Sequence, residues 1–143
     1  MTDNCQVDFY VLGSSGKSPG RLACRLALMA WEQGNRIAVL TENTADAKQL
    51  DELMWESPAE RFLPHSTDFM DQSAPVRIGT AETDLPVDCE VLINLTAAAV
   101  PEPSRFRRLL EIVPATESER TASREKFRAY RNLGLRPVSH TIG

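Results

Sequence analysis

The sequence predicts a three-layer α/β domain on a mainly parallel sheet, and three observations carry that expectation. Val7–Leu12 and Arg36–Leu40 are short apolar runs with β-branched or aromatic residues, and a helical segment with an apolar face separates them. A strand–helix–strand unit of this kind gives parallel, right-handed pairing. Cys89–Leu95 (CEVLINL) reads as another strongly buried strand, with further helical segments around it. The chain of 143 residues is long enough for one domain, 1–143, with a self-sufficient core.

The elements follow in order. Val7–Leu12 (VDFYVL) is the first strand, and Gly13-Ser14-Ser15-Gly16 a loop. Ser18 suits a helix N-cap with Pro19 at the first helical position, Leu22, Leu26, Met29 and Ala30 make the apolar face, and Gly34 ends the helix. After the strand Arg36–Leu40, Thr44 is placed to cap a helix whose stripe is Ala47, Leu50, Leu53 and Met54, ending near Trp55. Ser57-Pro58-Ala59-Glu60 has the form of a capping box opening one more turn, which leads into Phe62-Leu63-Pro64. Residues 65–75 lack a period and read as a loop, Val76–Gly79 as a short edge strand, and Asp84–Val87 as a polar connector. Pro101–Arg107 offers one or two helical turns and Leu109–Val113 a strand. Thr116–Leu133 is the closing helix, stopped by Gly134, and the segment from Leu135 is expected to form a final edge strand.

Composition bounds the function. Hydrophobic residues make up 42% and charged residues 25%, as in ordinary globular proteins. No apolar run approaches the ~20 residues of a membrane span, and the start lacks a basic-then-apolar signal, so the expected location is the cytoplasm. Cys5, Cys24 and Cys89 are far apart and form no C-x-x-C pair, which predicts buried free thiols and no metal centre. The net charge of −4 hides an asymmetry. Residues 1–100 carry 7 Lys/Arg against 15 Asp/Glu, whereas residues 101–143 carry 9 against 5. An acidic body does not suit a general duplex-binding surface, while a local basic patch suits a smaller acidic partner.

Gly16-Lys17-Ser18, after a strand and before a helix, invites a nucleotide reading. A phosphate-wrapping loop needs G-x-x-x-x-G-K-[ST], and the first glycine would fall on Val11, inside the strand. Asn94 and Thr96 stand where an acidic Mg²⁺ ligand would be wanted, and the G-x-G-x-x-G fingerprint is absent. No cofactor is expected. His65 and His140 have no nucleophile partner legible in the sequence, so no catalytic constellation emerges.

Two features point to protein partners. Trp55, Phe62 and Pro64 are large apolar groups around turns, open to reading as core or as an anchor patch, because aromatics dominate both. Arg120, Arg124, Arg128 and Arg131 recur at intervals of four, four and three and therefore line one helix face, flanked by Phe127 and Tyr130, with Ala122, Ala129 and Leu133 left for the core. Such a row is a solvent face tuned to the helix dipole, or a carboxylate trap, since guanidinium forks grip carboxylates in pairs.

Leu50-Asp51-Glu52-Leu53 with Trp55, Pro58-Ala59-Glu60, Phe62 and Pro64-His65 resembles the chi subunit family of bacterial DNA polymerase III, and the resemblance runs in order from Phe9-Tyr10 to the Arg124–Arg131 helix. It implies a nucleotide-binding-like, Rossmann-like fold without the nucleotide site, and a non-catalytic subunit. It also implies that Arg120, Arg124, Phe127 and Arg128 bind the acidic C-terminal tail of single-stranded DNA-binding protein, which ends in Ile-Pro-Phe. This sequence has arginine at 120 and 128 where the family often has lysine, and Phe127 where it often has tyrosine, so a phenolic contact is lost and the charge kept. The same resemblance assigns the Trp55, Phe62 and Pro64 surface to the psi subunit, with a DinG-like helicase as competing partner. Two alternatives stay open: a small nucleotide-dependent enzyme using Gly16-Lys17-Ser18, and a direct single-stranded DNA binder using the arginine helix.

Overall fold

A computed structural model describes residues 5–13, 18–56 and 63–142. Seven strands form one sheet in which every pairing is parallel: β1 (Gln6–Leu12), β2 (Ile37–Thr41), β3 (His65–Ser66), β4 (Val76–Thr80), β5 (Val91–Asn94), β6 (Arg108–Val113) and β7 (Val138–Ile142). Their spatial order is β3-β4-β2-β5-β6-β1-β7. Helices α1 (Pro19–Glu32) and α2 (Thr44–Glu56) cover one face, burying Leu22, Leu26, Leu50 and Met54 against Ile37, Val39 and Ile93. Helix α3 (Glu117–Asn132) covers the other, over Val7, Phe9, Leu92 and Leu109. The sheet is therefore the middle of three layers, and its interior strands read as continuous apolar runs because both faces are covered.

Local chemistry explains the helix ends. Ser18 Oγ accepts from the Arg21 N–H (3.2 Å) and Thr116 Oγ1 from the Glu119 N–H (3.3 Å). Gly34 and Gly134, just past the C-caps, have φ of 91° and 89°, the left-handed turn that a side chain disfavours. At α2 the cap is Asn43 and not Thr44: Asn43 Oδ1 accepts from the Asp46 N–H at 2.8 Å, and Thr44 is already helical.

Val76–Thr80 also departs from expectation. It is an interior strand, and the edge is taken by β3, inside the stretch that reads as a loop. Its Arg77 looks like an edge residue but is 1% exposed, because its guanidinium forks onto Asp88 (2.6 and 2.7 Å) and donates to the Ala74 carbonyl (2.9 Å). Gly79 is required by close approach: a Cβ there would lie 2.6 Å from the Phe69 ring. The segment Pro103–Arg105 is a single 3-10 turn, and Cys5, Cys24 and Cys89 are buried free thiols, with burial pushing Cys24 and Cys89 up to about 11. No described helix is long and apolar enough to cross a membrane.

Candidate functional site

The arginine row lies along a groove of about 830 Å³ between α3 and the β1–β7 edge of the sheet. Arg120, Arg124, Phe127, Arg128 and Arg131 line it from the helix; Phe9, Val11 and Val113 line it from the sheet, and Ser139 and Thr141 from β7. The four residues assigned to tail binding are thus brought together with a fifth, Arg131. Phe127 is held by Phe9, with ring centroids 5.3 Å apart. No carboxylate among the described residues pairs with Arg120, Arg124, Arg128 or Arg131, and Arg120 Nε is buried without a hydrogen-bond partner among them. The groove therefore holds concentrated positive charge over an apolar floor.

What fixes α3 in place lies on its opposite side. Glu111, fully buried on β6, accepts from Lys126 Nζ (2.8 Å), Tyr130 Oη (2.5 Å) and Asn94 Nδ2 (2.9 Å). Lys126 also donates to the Thr96 carbonyl, and the Val100 N–H donates to Tyr130 Oη (2.9 Å). Burial pushes the Glu111 carboxyl above the ordinary range, against the pull of the Lys126 ammonium. Burial likewise drives the Tyr130 hydroxyl upward. Tyr130 is a core residue here and does not border the arginine row, and Leu133, expected in the core, is half exposed. Lys126 and Tyr130 take the inward stripe instead. A charged residue in that stripe is stable because its ammonium meets both a carboxylate and a carbonyl.

Sequence reasoning missed Lys126 and Glu111, although a glutamate amid Leu-Leu-Glu-Ile-Val was a legible signal. It also missed Ser139 and Thr141, for which the sequence held no signal, because only tertiary pairing brings β7 beside β1.

The aromatic patch sits across the sheet. Trp55, near the end of α2, is 64% exposed, so the core reading of it fails. Its ring meets His65 edge-on at 5.1 Å, and the His65 side chain is buried with Nδ1 2.6 Å from the Leu63 carbonyl and Nε2 3.1 Å from Asp51. Pro64 is half-buried beside them, whereas Phe62 and the Ser57–Glu60 box lie outside the described residues. So do Gly16 and Lys17 of the nucleotide-like loop. Ser18 borders a separate cavity of about 350 Å³ at the strand C-termini, with Glu42 and Asp46 on its wall, a charge that disfavours phosphate.

Comparison with known proteins separates fold from family. The chain superimposes on T4 UvsW with a TM-score of 0.68 at 7% identity, and on a DEAD box protein from Methanococcus jannaschii with 0.63 at 14%. The matches cover 99% and 96% of this chain but 42% of each of those chains, and at that identity they show a shared RecA-like sheet architecture alone. Curated relatives resemble it over nearly their whole length. The DNA polymerase III subunit chi of Pseudomonas aeruginosa is 37% identical, covering 96% of both chains. That of Escherichia coli is 29% identical over 89% of this chain and 91% of the relative. The family model described as DNA polymerase III chi subunit, HolC, matches residues 5–137, which takes in the groove helix, the Glu111 network and the Trp55 patch together. The chain belongs to the DNA polymerase III chi subunit family.

Proposed function

We propose that this protein is a non-catalytic adaptor of the replicative polymerase, joining the clamp loader, through psi, to single-stranded DNA coated by its binding protein. The α3 groove takes the acidic C-terminal tail of that binding protein. Arg124 and Arg128 grip the terminal carboxylate and acidic side chains, Arg120 adds charge, and Phe127 with Phe9 seats the terminal apolar side chain. The Trp55, Phe62 and Pro64 surface takes psi, and a DinG-like helicase competes for it. The reading requires no cofactor and covers the whole chain, 1–143, as one domain.

The observation that carries this reading is the convergence of four arginines, unpaired by any described carboxylate, on one groove with an aromatic floor. Charge-assisted forks onto a carboxylate are the strong contacts such a groove can make.

Fluorescence anisotropy with a labelled tail peptide tests it. Removing one arm of a desolvated pair costs roughly 2–5 kcal/mol, so Arg128→Ala is expected to weaken binding at least about thirtyfold. Amidating the peptide terminus is expected to weaken it too, and the two changes together to cost less than their sum if the groups touch. Unchanged affinity for Arg128→Ala removes the groove from the account.

A further inference from the structure

The free edge of the sheet next to the groove has the makings of a second binding element. Strand β7 pairs with β1 on one side and, among the described residues, has no strand on the other. Gly13 N–H donates to the Ile142 carbonyl (2.8 Å), which turns the Ile142 backbone inward toward β1. Backbone polar groups alternate along a parallel strand, so Val138 and His140 turn inward with Ile142, while the N–H and C=O of Ser139 and Thr141 turn outward. The side chains of those same two residues line the arginine groove. Outward backbone and groove wall therefore coincide.

Edge strands are normally blunted with lysine, proline or inward charge. Val138-Ser139-His140-Thr141-Ile142 has none of these within it, and four of its five residues are exposed. The opposite edge, β3, is only two residues long and offers little to pair with.

We infer that an acidic peptide held by the arginine groove runs on beside β7 as an eighth strand, hydrogen-bonding to the backbone of Ser139 and Thr141. The inference rests on the groove reading above and specifies how the peptide lies. An added strand presents alternate side chains to the two sheet faces. One set meets Arg128 and Arg131 on the α3 side; the other meets the side of Arg108 and His140. Arg108 and His140 both face Asp8, whereas Arg128 and Arg131 pair with no described carboxylate, so it is the α3 side that favours an acidic occupant. A second copy of this chain pairing antiparallel through β7 would place both α3 helices on one face and set the two arginine rows against each other, a repulsion that disfavours it.

The test uses the whole chain and a fluorescein-labelled acidic peptide ending in Ile-Pro-Phe. Amide hydrogen exchange followed by NMR is expected to slow at Ser139 and Thr141 by about tenfold when the peptide saturates, and to stay unchanged at His140, which is already bonded to β1. A set of peptides each N-methylated at one backbone amide should lose affinity at alternate positions, by about fivefold per blocked hydrogen bond. If Arg128→Ala weakens binding while the Ser139 and Thr141 amides do not respond and the N-methyl series is flat, strand pairing is wrong and the groove stands. If Arg128→Ala leaves affinity unchanged, the groove reading falls and this inference with it. Protection of the same amides without peptide, deepening with protein concentration, would give the edge to a second copy and overturn the proposal.

Discussion

Glu111 and Lys126 set the orientation of the arginine row without touching the groove. Their side chains are 0% and 5% exposed, so each charge survives only through the other and through the Tyr130, Asn94 and Thr96 partners. Lys126→Met removes the cation and leaves the carboxylate buried, a change that typically costs about 3–5 kcal/mol. The pH dependence has a definite sign. A carboxyl whose folded pKa lies above its ordinary 4.5 contributes stability that is fully present below that value and lost as pH rises through the folded pKa. Without Lys126 the folded value rises further, so the deficit should be small near pH ~5 and grow toward pH ~7. Urea unfolding of both proteins at the two pH values checks this; a deficit independent of pH would mean that Lys126 acts through packing alone. The sequence showed the arginines and hid the lysine. Spacing places residues on helix faces, but Lys126 looked like one more solvent cation because its partner lies on a strand fifteen residues upstream.

At the scale of elements, β7 is anchored by one buried carboxylate. Asp8 Oδ1 meets His140 Nε2 (2.9 Å), Asp8 Oδ2 accepts from Arg108 Nη2 (3.0 Å), and Tyr10 stacks on the His140 ring at 5.0 Å. Burial pushes the Asp8 carboxyl up, but the His140 and Arg108 hydrogen bonds outweigh it and hold it below 3.8. A depressed carboxyl contributes stability present above its ordinary value and lost as pH falls through the folded one, so β7 should loosen in acid. Asp8→Asn keeps the shape and discards the charge, and losing hydrogen bonds to a charged group costs about 1.5–3 kcal/mol. Exchange at the His140 and Ile142 amides is expected to speed up by roughly tenfold or more, with the α1 and α2 amides unaffected; equal acceleration everywhere would mean global destabilisation instead. Strands β1 and β2, as short apolar runs, and α3, with its cap and stop residues, were legible in the sequence to within about a residue at each end. The cap of α2 slipped by one position because Asn43 and Thr44 are both good caps and only the bond to Asp46 decides between them. Strand β4, expected at the edge, is interior because Asp88 neutralises the buried Arg77 and Gly79 leaves room for the Phe69 ring, partners that only the tertiary fold supplies.

Across the whole molecule, the sheet separates two surfaces of different chemistry, the cationic groove under α3 and the Trp55 patch beyond α2. The proposed adaptor role needs that independence. Trp55→Ala should leave stability within about 1 kcal/mol, since the side chain is mostly exposed, yet weaken psi-type binding more than roughly tenfold, as truncating a central aromatic does. Tail binding should not change, and titrating psi and tail peptide in either order reads both numbers; a Trp55→Ala protein that unfolds, or loses the tail, would contradict the separation. The groove was only half legible from the sequence, because its helical wall is local whereas its strand wall comes from the other side of the fold. The two neighbours of β1 are both encoded far downstream of it: Asp8 is bonded to Arg108 and His140, 100 and 132 positions away. During synthesis on the ribosome the chain emerges N-terminus first, so β1 must wait, with Val7 and Phe9 uncovered, until the segments holding β6 and β7 have been made. Closing so long a loop is an entropic cost met before any contact rewards it, which makes docking of β1 a late event and the nascent chain a client for whatever shields apolar segments in the meantime.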